Sequence, residues 1–134
     1  MALSFSVAAR NAQLDTLTTS VGTSGYLRIY SGTRPANVAA AITGTLLAEL
    51  VCNASAFAAA ASGGVLTANA IANDSSANAT GTATHYRLWK SDGTTGVIDG
   101  NVSTSGSDLN LDNTSIVAGQ VVSVTSYTIT DNNT

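Results

Sequence analysis

The stretch TATHYRLWK, residues 82–90, is the segment that decides the fold of this chain. β-Branched and aromatic residues dominate it, and these residue types favour strands because their side chains pack well on a pleated surface. Alternation along a strand gives it one apolar face and one basic, aromatic face. The second of these faces carries His85, Arg87 and Trp89.

Shorter strand-like segments recur on both sides of this stretch at spacings of about ten residues, with turn residues between them. They are Tyr26–Tyr30, Leu46–Val51, Val65–Ile71, Val97–Val102, the alternating pair Leu109 and Leu111, and Gln120–Thr130. This spacing is typical of all-β sandwiches. We predict a mainly β fold, an antiparallel β-sandwich of immunoglobulin-like or jelly-roll-like type, with one N-terminal α-helix. The expected core residues are Leu27, Ile29, Leu46, Leu50, Leu66, Tyr86, Leu88, Leu109, Leu111, Val122 and Val124.

The first 22 residues follow a helical period instead. Their apolar residues recur at spacings of three, four and seven, which places on one stripe Leu3, Val7, Leu14, Leu17 and Val21. Ser4 or Ser6 can cap the start of a helix, and Gly22 can end it. The pattern therefore predicts a helix over about residues 6–20.

The chain is thus predicted to divide into an N-terminal helical segment, 1–22, and a β-sandwich domain, 23–134. A short isolated helix is only marginally stable in water. Its apolar stripe must therefore dock, either on its own sheet or on another subunit. Because the segment lies outside the predicted sandwich, we expect the second of these.

Composition argues against several classes of function. Charged residues make up 10% of the chain and the formal net charge is −3, whereas nucleic-acid-binding proteins need a basic stripe to neutralise phosphates. The single cysteine, Cys52, cannot form a disulfide within the chain. No apolar run reaches the length of about 18 residues that spans a membrane, and the first residues lack the basic start of a signal peptide. We expect neither nucleic acid nor a membrane among the partners.

Candidate catalytic and metal-binding groups are few. His85 has no Cys, Asp or Glu near it in sequence that would make it a general base or a metal ligand, so we expect a surface or interface residue. Asp108, Asn110 and Asp112 repeat oxygen ligands like the start of a calcium loop, but Asn113 and Gly119 occupy the positions that need Gly and Glu. Phosphate-binding and nucleophile-elbow motifs do not occur. The chain is predicted to be no enzyme and to hold no cofactor or metal.

Six segments, spread over nearly the whole chain, resemble a known class of proteins. They are AARNAQLDTL at 8–17, GYLRIYSGTRP at 25–35, LLAEL at 46–50, ATGTAT at 79–84, SGSDLNLDNTSI at 105–116 and AGQVVSVTSYTIT at 118–130. Together they resemble small structural proteins of tailed bacteriophage virions. The resemblance implies a capsid decoration (cement) protein on the capsid surface, with the major capsid protein or other virion subunits as partners. A tail- or fibre-associated structural module is the alternative within this class.

A protein of this kind works through contact surface. The side chains expected at its interfaces are Val7, Leu14, Leu17, Tyr26, Tyr30, His85, Arg87 and Trp89. Weak contacts gain strength when symmetry repeats them, so we expect a homo-oligomer, a dimer or a trimer. The alternative from another class is a carbohydrate- or receptor-binding β-sandwich, in which Tyr26, Tyr30 and Trp89 stack on sugar rings.

Overall fold

The computed structural model describes residues 3–58 and 63–131 of the chain. Within this part, one helix precedes nine strands. The elements are α1 (Val7–Val21), β1 (Tyr26–Tyr30), β2 (Leu46–Val51), β3 (Val65–Thr67), β4 (Gly81–Thr82), β5 (His85–Trp89), β6 (Gly96–Ser103), β7 (Leu109–Asn110), β8 (Ser115–Ile116) and β9 (Thr128–Thr130). The predicted strands β1 and β2 are confirmed with the predicted bounds.

Helix α1 begins and ends at residues with capping chemistry. The Ser6 side chain accepts a hydrogen bond from the Ala9 amide at 3.1 Å, which satisfies one of the free donors of the first turn. At the other end, Gly22 has a φ of 76°, and its amide donates to the Thr18 carbonyl. The predicted helix and its caps are confirmed, with Ser6 rather than Ser4 at the start.

The main sheet contains five strands in the order β2-β1-β5-β6-β7. Its first three pairs are antiparallel, whereas β7 lies parallel to β6. β3 with β9, and β4 with β8, form two short sheets. The fold is therefore mainly β with one N-terminal helix, as predicted. The main sheet is a curled, mixed half-barrel and not clearly one layer of an antiparallel sandwich. Apart from the two-residue strands β7 and β8 and one isolated bridge, 104–127 forms turns and irregular segments instead of a second broad sheet.

The predicted core is confirmed at ten of its eleven positions, and the exception is Leu46. Ile29 pairs with Ala48, but the next residue, Tyr30, pairs with Leu46, so Leu47 is an extra residue in β2. Such a bulge turns the strand locally and re-aims its side chains. Leu47 consequently lies fully buried in the core, while Leu46 is only half-buried.

Helix α1 docks on its own chain, which corrects our expectation of a contact with another subunit. Leu14 and Val21 are buried in the same core as the strands, and Leu17 packs partly against it. Two polar contacts hold the first turns: Arg10 Nη1 donates to the Asp131 carbonyl at 3.0 Å, and the Gly64 amide donates to Asn11 Oδ1 at 2.9 Å. The apolar stripe thus finds the cover that it needs within the chain.

The longest predicted strands are interrupted. In the segment 82–90, β4 pairs with β8 and β5 pairs with β1, so the chain changes sheet between Thr82 and His85. The predicted strand Gln120–Thr130 forms a strand only at β9, apart from the bridge of Val122 to Asp74. The alanine-rich segment 38–42 is not helical, although alanine favours helices. Of the similar segment 54–61, residues 59–61 lie outside the described part of the chain.

Candidate functional site

The face of the main sheet that points away from the core carries a cluster of basic and aromatic side chains, which we call the arginine–aromatic face. Its members are Tyr26, Arg28 and Tyr30 of β1 and His85, Arg87 and Trp89 of β5. The strand register sets them side by side, pairing Tyr26 with Trp89, Arg28 with Arg87 and Tyr30 with His85. The alternation predicted for 82–90 is therefore confirmed over β5, where Tyr86 and Leu88 lie in the core.

A row of four charges crosses this face. Arg28 and Arg87 are direct neighbours on adjacent strands, and such like-charged pairs are destabilising when left alone. The same register places Glu49 of β2 beside Arg28 and Asp99 of β6 beside Arg87. Each arginine thus has its own carboxylate on the outer side, and the row is neutral overall.

The two ion pairs differ in burial. Arg28 Nε lies 2.6 Å from Glu49 Oε2, and these side chains keep 21% and 36% of their surface exposed. Arg87 contacts Asp99 through two bonds, Nε to Oδ1 at 2.5 Å and Nη2 to Oδ2 at 2.8 Å, with only 3% and 8% exposed. The Arg87 pair therefore has the planar two-point geometry that is the strongest form of this contact, and it is the more buried of the two pairs.

Trp89 lies among these groups. The guanidinium carbons of Arg28 and Arg87 are 5.3 Å and 5.2 Å from the centre of its ring, within the range of cation–π attraction. Its indole N–H donates to the Tyr30 hydroxyl at 3.1 Å. Arg28 also lies 5.1 Å from the centre of the Tyr26 ring. The aromatic rings of this face are thus already engaged by arginines of the same chain.

The loop 31–45 covers one end of the arginine–aromatic face. Arg87 holds the loop by donating to the Ala40 carbonyl at 2.9 Å and to the Asn37 carbonyl at 3.2 Å. A groove of about 550 Å³ remains between residues 38–42 of this loop, Trp89 and residues 94–96. As a result, His85 and Arg87 are buried within the chain, which corrects the expectation that His85 is a surface or interface residue.

His85 is completely buried beneath this loop and stacks on Tyr30, with ring centres 5.4 Å apart. The Thr84 hydroxyl donates to the Gly32 carbonyl at 2.6 Å, so it can only accept from His85 Nδ1, which is 3.1 Å away. This assigns the proton to Nδ1 and leaves Nε2 unprotonated, without a hydrogen-bond partner among the described residues. Burial lowers the pKa of His85, and the nearby Arg87 and Arg34 act in the same direction, while Asp99 opposes them.

We expect acidification to destabilise the fold through His85. In the unfolded chain, the histidine takes up a proton near pH 6.5, whereas the folded chain holds its pKa lower. Between these two values the unfolded state binds more protons, so the free energy of unfolding falls as the pH falls, by at most about 1.4 kcal/mol per pH unit for one proton. Urea unfolding at about pH 7.5 and about pH 5.5 measures the difference. His85→Phe, which can still stack on Tyr30, should remove this part of the pH dependence; an unchanged dependence in the variant would contradict the assignment.

The structure distributes the predicted interface residues unevenly. Val7 is exposed, with 47% of its surface accessible. The others are half-buried or buried within the chain: Tyr26, Trp89 and Leu17 are half-buried, and Leu14, Tyr30, His85 and Arg87 are buried.

Sequence reasoning missed the carboxylates Glu49 and Asp99 and the covering loop. Glu49 and Asp99 lie 21 and 12 residues from their arginines, and only the strand register brings them together. A signal for Arg28 was present, because alternation along β1 places it on the face of Tyr26 and Tyr30.

Two of the three side chains of the calcium-like stretch accept hydrogen bonds within the chain. Asp108 Oδ2 accepts from the Asn101 amide at 2.8 Å, and Asn110 Oδ1 accepts from the Ser107 amide at 3.0 Å. Across residues 3–58 and 63–131, no group of three or more His, Cys, Asp or Glu side chains is placed to hold a metal ion. Cys52 is buried, and burial raises the pKa of its thiol to about 11, which keeps it protonated.

Comparison with known proteins adds no relative. No protein-family model matches the chain, and no curated protein and no solved structure matches it significantly. The one helix of the described residues is too short to cross a membrane.

Proposed function

We propose that this chain is a non-enzymatic structural protein of a tailed-phage virion, of the capsid decoration (cement) type. In this proposal it binds the major capsid protein, or other virion subunits, at the capsid surface as a homo-oligomer, a dimer or a trimer. The class of protein is inferred from the resemblance of its segments to small virion proteins. The geometry of the arginine–aromatic face gives physical support for a structural role.

The observation that carries the proposal is that the charged groups of the arginine–aromatic face bind one another, while His85 Nε2, which has no partner among the described residues, is completely buried. Arg28 and Arg87 are each paired with a carboxylate, Trp89 donates to Tyr30, and Arg87 also holds the loop 31–45. Nucleophiles and general bases need free, accessible polar groups. The arrangement instead makes a rigid, locally neutral sheet, which suits a protein that acts through its shape.

Contact with a partner would then rest on apolar area and backbone groups. Exposed apolar side chains are present in the turn after β8, where Val117 and Val121 keep 54% and 60% of their surface accessible. Buried apolar area contributes about 25 cal/mol per Å², but little of this remains as affinity for a single copy. Several copies binding together recover it through effective concentration, which supports the oligomer in this proposal.

The geometry weakens the carbohydrate-binding alternative. A sugar ring stacks on the open face of an aromatic ring, and Trp89 and Tyr26 each have an arginine guanidinium over the ring at 5.1–5.3 Å. The hydroxyl of Tyr30, the third aromatic candidate, is bonded to Trp89, and its residue is only 5% exposed. A lectin-like site would require these contacts to break first.

We expect the chain to bind heads of the phage that encodes it, after the resident copies have been removed, with little dependence on salt. Exposed ion pairs contribute only about 0–1 kcal/mol each and are screened by salt, and this chain has few of them. Co-sedimentation from about 0.05 to about 0.5 M salt should therefore change the affinity by less than about threefold. Heads that retain all of their resident copies are the matched control, and they should bind no additional protein. Absence of saturable binding to depleted heads, or a steep loss with salt, would contradict the proposal.

A further inference from the structure

One edge of the main sheet is closed by the chain itself. Strand β2 lies at this edge, and the segment 72–78 runs along it. The Ala72 amide donates to the Val51 carbonyl at 2.9 Å, the Asn78 amide donates to the Leu47 carbonyl at 2.8 Å, and Asp74 Oδ2 accepts from the Glu49 amide at 2.9 Å. Natural proteins protect strand edges in this way against pairing with other chains.

Two further strand edges, those of β7 and β9, pair with no other strand of the described chain, and both border the same cleft. Strand β7 is the opposite edge of the main sheet, and β9 is an edge of the short sheet that it forms with β3. Between them lies a polar cleft of about 280 Å³, which we call the edge cleft. It is lined by Ser107, Asp108, Asn110, Ser126, Tyr127, Thr128 and Thr130.

The register shows which backbone groups of β9 face the edge cleft. The Ala68 amide donates to the Tyr127 carbonyl, and the Asp131 amide donates to the Gly64 carbonyl, both at 2.9 Å. Of the residues of β9, Ile129 therefore exchanges hydrogen bonds with β3, because hydrogen-bonded positions alternate along an antiparallel strand. The amide and carbonyl groups of Thr128 and Thr130 point to the other side, where no strand of the described chain pairs with them.

Strand β7 presents a complementary group across the cleft. The Leu111 amide donates to the Ser103 carbonyl at 2.9 Å, so the residues next to Asn110 face β6. The backbone amide and carbonyl of Asn110 consequently point away from β6, towards the edge cleft. Within the described chain, the cleft thus has unpaired main-chain donors and acceptors on both of its sides.

We propose that the edge cleft is a strand-acceptor site, which binds one extended segment of a partner chain by β-augmentation. Such binding gains affinity from main-chain hydrogen bonds and specificity from alternate side chains. The occupant must be a single strand without a neighbour of its own, because it has to pair with β9 on one side and with β7 on the other. Strand β9 of a second copy does not meet this condition, since β3 already occupies one of its edges.

Charge restricts the occupant further. Among the described residues that line the cleft, Asp108 is the one carboxylate, and none is a lysine or an arginine. An uncharged or basic extended segment is therefore favoured over an acidic one. The assignment of this segment to a capsid subunit rests on the proposed function. The observation of two open strand edges is independent of that function.

The direct test is a titration of the labelled protein with a probe peptide, acetyl-Thr-Val-Lys-Val-Thr-amide, followed by amide resonances. We expect shifts confined to residues at the cleft, above all Asn110, Thr128 and Thr130, and amide hydrogen exchange of the two threonines slower by about tenfold at saturation. The same peptide with N-methyl groups on both valines lacks the donors for one edge and should bind at least about tenfold more weakly. Shifts elsewhere, or equal binding of the methylated peptide, would overturn the proposal.

Variants connect the cleft to particle binding. Replacing Thr128 and Thr130 together by proline removes the two outward amides, which β3 does not use; the matched control replaces both by valine and keeps them. Only the proline variant should lose binding to the peptide and to depleted heads. If heads bind both variants equally, the strand-acceptor site is wrong and the proposed function stands. In the opposite case, the peptide binds as expected, but heads bind neither the variants nor the unmodified chain. The proposed function is then wrong, and the strand-acceptor site stands.

Discussion

Replacement of Arg87 by methionine should lower the free energy of unfolding by about 3–5 kcal/mol, because it leaves the buried Asp99 carboxylate without its partner. The side chains of this pair are 3% and 8% exposed, so little of the carboxylate is hydrated in the folded chain. The variant also removes the donors to the Ala40 and Asn37 carbonyls, which anchor the loop 31–45. Urea unfolding followed by far-ultraviolet circular dichroism measures the change.

The sheet offers a matched control for this experiment in Arg28→Met. Its ion pair with Glu49 has the same strand register but is 21% and 36% exposed, so we expect a loss of about 1 kcal/mol or less. A double variant, Arg87→Met with Asp99→Leu, should recover about half or more of the Arg87 loss, because no buried charge remains unpaired. Equal losses for Arg87→Met and Arg28→Met would show that burial does not distinguish the two pairs.

Leu14→Ala should destabilise the chain by about 2–4 kcal/mol, since it removes a side chain that is 5% exposed and leaves a cavity between α1 and the strands. The matched control on the same helix is Val7→Ala, where the side chain is 47% exposed and the change should stay within about 0.5 kcal/mol. Thermal unfolding of both variants at low protein concentration measures the difference. If Leu14→Ala left the monomer unchanged and weakened only an oligomer, the stripe of α1 would serve another subunit after all.

The parts of the fold that sequence predicts well are those with local causes. Helix α1 begins after Ser6, whose side chain caps the first turn, and ends before Gly22, which adopts a positive φ without strain because it has no side chain. Strand β1 is predicted with the same bounds because its alternation continues without interruption between two turns. By contrast, an extra residue such as Leu47 in β2 becomes visible only against the partner strand, and this is why the wrong leucine was assigned to the core.

The arginine–aromatic face depends on contacts between distant segments, and alternation predicted only which side chains share a face. Burial of His85 follows from the path of loop 31–45, and this path depends on Gly44: a Cβ atom there would lie 1.8 Å from the Ser31 carbonyl oxygen. Because glycine is common in loops for turn geometry alone, no sequence pattern predicts this close approach of two backbone segments. Likewise, Asp99 becomes the partner of Arg87 only through the pairing of β5 with β6.

The position of the edge cleft between two strands limits how far assembly can proceed. A strand that joins an ordinary sheet edge exposes its own outer edge, which can accept another strand, and repetition of this step leads to fibres. In the edge cleft, β9 and β7 would take both edges of the incoming segment. The outer edges of the joined sheet would then be β2, which is covered by 72–78, and β3, which is covered by 56–58. Strand addition at this site is therefore self-terminating, with one guest per molecule and no template for a second.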